Sequence, residues 1–319
     1  MKRLLLLAAA ASACAVSAHD GWNQGTPGDG GFSSNDGGVQ LGSDGGAGDG
    51  VKLIYAHSDT ELYAMDPGTQ AITDVGPFDD GTSSTPVITD LAVDASGNVW
   101  VNSETAIYRA SVPASPGPVA ITLVSKIAVG SGQKFYALGF APAGVLDNGE
   151  TLVAGDNDGV LYAIDGGGAT TELGSFGVDK SGNPYELSGD VVFYTQNGAA
   201  RGLATVRSCQ KGGSCSTTND ILAEIDVPAM SAAYASKTPA SSLKKQLLGS
   251  GTGFGRLFGV GAWNDSVYAF ARASGSTPAE LVRIDASGNG TVIQSFGQIS
   301  AGWSGAGVTT SAPVTILPN

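Results

Sequence analysis

Asp90 and Asp190 each open a short apolar run, Asp90-Leu-Ala-Val93 and Asp190-Val-Val-Phe193. Carboxylates brought together from separate strands can hold a divalent cation, with Glu186 as a further oxygen donor. Asp156-Asn-Asp-Gly159, which includes Asp158, and Asp147-Asn-Gly-Glu150 offer more oxygen ligands of the kind calcium takes. They lack the spacing of an EF-hand loop, and both also read as plain turns between strands. Calcium is the one cofactor the sequence leaves room for; no other is expected. The preferred role for Asp90 and Asp190 is hydrogen bonding to neighbouring strands.

Histidine chemistry is nearly excluded. The chain has two histidines, and His19 lies in a Gly-rich N-terminal segment, so any Ser-His-Asp triad would have to use His57. A His-rich metal site is impossible. His57 closes a strand, and the expectation is an ordinary surface or hydrogen-bonded histidine. Cys209 and Cys215 bracket the loop CQKGGSC, near enough in sequence to form a disulfide. Zinc is the weaker alternative, since no histidine or further cysteine lies nearby.

Charge is unevenly spread. Lys and Arg total 16 against 29 Asp and Glu, a net charge of −13, which argues against nucleic-acid binding. Yet residues 201–256 carry Arg201, Arg207, Lys211, Lys237, Lys244, Lys245 and Arg256 against only Asp220, Glu224 and Asp226. Such a stretch could dock an anionic partner, an acidic glycan or a protein patch, through Arg207, Lys211, Lys237, Lys244 and Lys245. It reads equally well as a solvated basic segment offsetting acidic surroundings.

These residues must be positioned by a repeat. The phrases LYAMD (62–66), IYRAS (107–111), LYAID (161–165), LAEID (222–226) and LVRID (281–285) share strand-type alternation, and most end in Asp before a Gly- or Pro-containing turn. A strand unit recurring at this period predicts an all-β fold, a β-propeller. Asp66, Asp165, Asp226 and Asp285 are expected to fix Asx-turns. The second unit is predicted as strands over 88–93, 99–102, 107–111 and 121–127. The fifth is predicted over 257–263, 266–271, 280–284 and 291–296. The fourth carries an insertion at 227–250, with a helical turn or two within 232–248 and an outer strand near 245–248. The first unit lacks an inner strand, and residues 305–310 look like an inner strand without a unit. Pairing the two ends would close a five-bladed ring, with six blades the alternative if the insertion conceals more strand.

Leu62-Tyr-Ala-Met-Asp-Pro-Gly-Thr69 resembles repeats of quinoprotein, YVTN and NHL-type propellers. Ile88-Thr-Asp-Leu-Ala-Val-Asp94 with Ser96-Gly-Asn-Val-Trp100 is similar to NHL-type blades. The resemblance spans residues 51–311 and implies fold rather than activity. The tryptophan that quinoprotein repeats place after their Thr-Gly is missing, which speaks against a quinone.

Met1-Lys-Arg3 before the apolar run 4–13 has the pattern of an export signal. Ala11-Ser-Ala-Cys14 resembles a lipobox, making residues 1–13 a signal peptide and Cys14 the lipidated residue. Val16-Ser-Ala18 offers ordinary cleavage before His19 instead. Residues 20–50, with twelve Gly and five Asp and no Lys or Arg, suit a tether and favour the lipobox. The expected organisation is a signal at 1–13, a lipid-anchored tether at 14–50 and a propeller at 51–319. The expected place is the cell envelope, as an outer-membrane lipoprotein or else a secreted or periplasmic protein. The expected function is a monomeric binding or scaffolding module without catalysis. The alternative is a metal-dependent lactonase- or lyase-like propeller using Asp90, Asp190 and Glu186.

Overall fold

A computed structural model describes residues 53–210, 214–215, 219–274, 277–297 and 302–317. The export signal, Cys14, the tether and Lys211 lie outside the described residues. Strands β1 (Ile54–His57), β2 (Glu61–Met65) and β3 (Ile72–Asp79) begin the fold. They are followed by β4 (Asp90–Val93), β5 (Val99–Ser103), β6 (Ala106–Ser111) and β7 (Val119–Lys126). The next set is β8 (Phe135–Ala141), β9 (Thr151–Asp156), β10 (Leu161–Ile164) and β11 (Thr170–Gly174). Then come β12 (Tyr185–Gln196), β13 (Ala199–Ser208), β14 (Ile221–Ile225), helix α1 (Val227–Ser236) and β15 (Lys244–Leu248). The last set is β16 (Leu257–Trp263), β17 (Ser266–Ala271), β18 (Ala279–Ile284) and β19 (Gly290–Phe296), and β20 (Gly305–Gly307) ends the series.

Each set is an antiparallel meander, and the arrangement is a β-propeller. β20 completes the first set from the far end of the chain, pairing Tyr55 with Gly307 and His57 with Gly305. β3 also meets β7 in a short parallel contact, Phe78 with Val119 and Asp79 with Ala120, which joins two meanders into one eight-stranded sheet. The innermost strands form a closed ring: β4 packs on β8, β8 on β12, β12 on β16, β16 on β20, and β20 on β4. Burial follows position. Strands sandwiched between meanders, such as β9 and β17, are buried along their whole length, whereas outer β7 and β19 show several exposed side chains. Trp303 seals the seam between the last and first meanders, its ring edge-on to those of Tyr63, Phe270 and Phe296 at 5.1–5.3 Å.

The expected boundaries need two corrections. The inner strand of the second meander starts at Asp90 rather than Ile88. The insertion forms its helix over Val227–Ser236, earlier than expected, because Asp226 caps it by accepting the Ala229 N–H at 3.0 Å and Pro228 suits its first turn. Lys237 ends the helix in the left-handed region at φ 54°. The helix packs on β11, and Ala240 N–H donates to Leu173 O, so the insertion braces two adjacent meanders. Asp66, Asp165 and Asp285 make the expected Asx-turns.

The two ends of the ring differ. After β20 the chain runs across one end: Thr309 bridges Val93, Val314 bridges Asn264, and Gln196 Nε2 donates to Leu317 O at 2.7 Å. Val314, Ile316 and Leu317 are buried there. Residue 53 leads into β1 at this capped end, since Ile54 lies beside Gly261 on the far half of β16. The other end is open.

Candidate site at the open mouth of the propeller

Inner strands leave their axial N–H groups without a neighbouring strand, and such donors must be satisfied in the interior. Two aspartates do this. Asp90 on β4 accepts from Leu91 N–H at 2.8 Å and from Leu138 N–H on β8 at 2.7 Å. Asp190 on β12 accepts from Val191 N–H at 2.6 Å, from Val260 N–H on β16 at 2.8 Å, and from Ala306 N–H on β20. All five inner strands are thereby tied to one carboxyl pair. Both residues are fully buried and hydrogen-bonded to each other. Burial pushes both carboxyls well above the ordinary range, and the charge of Asp190 adds to the rise at Asp90. Two carboxyls that interact in one buried site titrate as a pair rather than separately.

His57 lies against this pair, and it is not a surface residue as the sequence allowed: it is fully buried. Its Nδ1 is 2.6 Å from Ser58 O, and its Nε2 is 4.0 Å from Asp90 Oδ1 with no hydrogen-bond partner among the described residues. Burial lowers its pKa to about 4, so the ring is neutral at pH 7. Gly305 makes room for the cluster, because a Cβ there would overlap both Asp90 Oδ1 and His57 Nε2.

Above this plug the mouth opens into a pocket of about 700 Å³. Its floor is the segment just before Asp90 on β4, before Asp190 on β12 and before β20: Thr89, Ser188, Gly189 and Ser304. One wall is Arg272, which donates to Asp59 Oδ1 and Oδ2 at 2.8 and 2.9 Å, with Ser304 bonded to both residues. The Arg272 guanidinium holds Asp59 below its ordinary pKa. Another wall is Glu104, which accepts from Lys134 Nζ at 2.8 Å and Tyr136 O–H at 3.0 Å; the hydrogen bond from Lys134 depresses its pKa. Val87 is 59% exposed and Tyr136 40% exposed, and both face the pocket with Leu187 and Phe258.

The third wall is Arg207. Its Nη2 reaches Glu186 only at 3.9 Å, and its Nε is buried without a hydrogen-bond partner among the described residues. Its charge acts on Asp220, whose Oδ2 accepts from Leu257 N–H at 2.8 Å while Oδ1 is likewise buried and unpartnered. Burial raises the Asp220 carboxyl.

The residues singled out from sequence are dispersed. Asp90 and Asp190 meet, but below the pocket, and Glu186 is away from them beside Arg207 and Cys215. Asp156 fixes a turn through Asp158 N–H and Val160 N–H, both at 3.0 Å, and accepts from Gln133 Nε2 at 3.0 Å. Cys209 and Cys215 form the expected disulfide. Among the described residues of the basic group, Arg207 alone lines the mouth. Lys245 and Arg201 both bind Glu224 at 2.8 Å, Lys237 sits 3.9 Å over the Tyr234 ring, and Lys244 sits 4.1 Å over Tyr185. Asp59, Arg272 and Asp220 escaped the sequence reading. Asp59 and Arg272 are 213 residues apart, and no local pattern marks them.

No protein-family model matches the chain, and no curated protein matches it at a significant level. Among solved structures it is similar to a protein of unknown function from Bacteroides caccae, at 11% identity and TM-score 0.42, over 81% of this chain and 99% of that one. It is similar to a chain of a nidogen/laminin complex at 13% identity and TM-score 0.42, over 82% and 100%. Similarity to the Dos1 propeller is weaker, at 12% identity and TM-score 0.34, over 70% of this chain and 51% of that one.

Proposed function

We propose that the chain is a five-bladed binding propeller, tethered at the cell envelope through Cys14, that takes its ligand in the open mouth and performs no catalysis. The count of five reads the eight-stranded sheet as two blades joined along their outer strands, and it agrees with the ring of five inner strands. The tether reading rests on residues 1–50, whose export pattern, lipobox-like Cys14 and Gly/Asp-rich run keep their sequence-level meaning.

The observation that carries the binding role is the pocket itself: concave, of ligand size, and mixing exposed apolar side chains with convergent polar groups. The chemistry of its carboxylates favours binding over turnover. Asp59 and Glu104 are held ionised by Arg272 and Lys134, which unfits them as general acids near neutral pH. The mouth is favoured over the basic stretch of the fourth blade as the partner site, because Arg201 and Lys245 are engaged with Glu224. The reading includes no cofactor.

The test is thermal unfolding against a library of saccharides, small carboxylates, peptides and nucleotides, using wild-type protein and the mouth-filling variants Val87→Trp and Thr105→Trp. A ligand at 100 times its Kd stabilises by about 2.7 kcal/mol, a readable shift. Shifts present in wild type and absent in both variants support the mouth as the site. A wild-type protein silent to the whole library counts against it.

A further inference from the structure

Cys209 follows β13 directly, and Cys215 returns opposite it in an isolated antiparallel bridge, with the two Cα atoms 3.8 Å apart. The pair is held in place by its backbone: Cys209 N–H donates to Pro184 O at 2.9 Å, and Gln210 N–H to Ser214 O at 3.2 Å. β12 begins beside it and sets Glu186 opposite Arg207 in its register with β13. Glu186 Oε2 thereby lies 3.1 Å from Cys215 Sγ. Among the described residues, Glu186, Cys209 and Cys215 are the one group of cysteine, histidine and carboxylate side chains that brings three donor atoms within 4.8 Å of one another. The sequence offered zinc only the two cysteines; the third donor comes from another strand.

A disulfide sulfur is a poor ligand, because the thiolate is the form that binds metals. Reduction changes this. A dithiol attacking Cys215, the partly exposed member of the pair, takes the S–S bond over as its own disulfide. Cys209 and Cys215 are left as thiols, having gained two electrons and two protons, and each gives its proton to solvent as it binds a metal.

Two thiolates and one carboxylate select the cation. Calcium and magnesium take oxygen ligands. Copper(I) is softer, and a carboxylate suits it poorly. Zinc accepts sulfur and oxygen together in a tetrahedral shell. Thiolates sharing one zinc ion at about 2.3 Å stand about 3.8 Å apart. Cysteines that face each other across one bridge reach that separation by side-chain rotation. Water takes the fourth position, since Cys215 and Glu186 are both partly exposed. Three anionic ligands around a dication leave one negative charge, and Arg207 offsets it. Its Nη2 stands 3.9 Å from Glu186, and its Nε has no hydrogen-bond partner among the described residues.

We infer that reduced Cys209 and Cys215 form a zinc site with Glu186, and that exchange with a disulfide restores the Cys209–Cys215 bond and expels the ion. None of the three residues lines the ligand pocket, so the site stands independently of the mouth.

Cobalt(II) binding to the full chain carrying Cys14→Ser tests it, since Cys209 and Cys215 are then the only cysteines. Reduction uses a water-soluble phosphine, which ends as the phosphine oxide with oxygen from water. The reduced protein is expected to take up one cobalt per chain with a thiolate-to-cobalt charge-transfer band, which added zinc abolishes. The oxidised protein should show no band, and oxidised glutathione, added once the phosphine is removed, should release the cobalt. Glu186→Gln is expected to keep the band and bind at least tenfold more weakly, and Cys215→Ser to lose the band. Glu186→Gln retains the disulfide, so it carries the test should Cys215→Ser fail to fold. A reduced protein without the band overturns the inference, as does equal binding by the oxidised form. An unchanged affinity in Glu186→Gln reduces the site to a thiol pair and overturns it too. Circular dichroism follows the fold throughout; a reduced chain that unfolds and stays unfolded with metal also overturns the inference, because the strands that gather the ligands are gone.

Discussion

Arg272 grips Asp59 with two parallel hydrogen bonds of 2.8 and 2.9 Å, fastening the last four-stranded meander to the first at the rim of the pocket. A guanidinium and a carboxylate in this fork form one of the stronger polar contacts available to a protein, though partial exposure reduces its worth. Arg272→Gln is expected to destabilise the fold by about 1–2 kcal/mol in urea unfolding. Asp59→Asn should cost a similar amount, and the double variant less than the sum, because each single change already breaks the fork. Additive costs in the double-mutant cycle would show that the fork contributes nothing.

Stability should depend on pH through two opposing groups. His57 has its pKa lowered to about 4 by burial, against an ordinary 6.5, so the unfolded chain binds the extra proton between those values. Stability from this group therefore rises with pH from 4 to 6.5, by on the order of 3 kcal/mol. Asp90 and Asp190 act the other way. Their folded pKa values are raised, so they stabilise most below the unfolded carboxylate value and lose that contribution as pH climbs towards the folded one. Asp59 and Arg272 are the other charged groups that act on His57. In His57→Gln the rising limb between pH 4 and 6.5 should vanish, leaving only the falling one. Urea midpoints across a pH series read this directly.

Gly305 stands where no larger residue fits. A Cβ would overlap Asp90 Oδ1 and His57 Nε2, both fully buried and without room to withdraw. Gly305→Ala should cost about 3 kcal/mol or more, at the upper end for overpacking, and lower the thermal midpoint accordingly. Gly297→Ala, where nothing crowds the new carbon, is the matched control and should be near neutral.

Charge reversal at Lys245 would strike the fold before it struck any partner. Glu224 is almost fully buried; burial alone would raise its pKa, but hydrogen bonds from Lys245, Arg201 and Gln246 outweigh this and hold it below the ordinary range. Lys245→Glu sets a second carboxylate against it and is expected to destabilise by about 1–2 kcal/mol. Lys245→Met, which keeps the apolar stem, should cost less. Denaturant unfolding of both variants separates this effect from any loss of partner binding.

The strands were legible because alternation and turn chemistry are local. LYAMD, LYAID and LVRID each hold enough information to name a strand and the Asx-turn after it, and Asp90 and Asp190 could be placed on inner strands. The missing inner strand of the first meander was also visible, as a remainder at residues 305–310. Helix α1 was displaced because Asp226 was read as one more turn residue, although Asp226-Val-Pro228 is equally a helix start. The mouth was not legible. Its floor and walls come from the ends of strands drawn from every meander, and a contact such as Arg272 with Asp59 exists only once the last meander meets the first. His57 is hydrogen-bonded, one of the two roles the sequence allowed, but its burial was not legible for the same reason: its strand is local, whereas the neighbours that bury it are Asp90 and Gly305.

The chain enters β1 at the end of the ring that residues 309–317 cap, opposite the pocket. The protein can thus be held by its N-terminal side like a cup by its foot. An affinity handle, a fusion partner or a lipid fixed upstream of residue 53 attaches behind the mouth, so immobilised protein would present its pocket to the solution. A group appended near residue 160 or 210, by contrast, would sit on the rim.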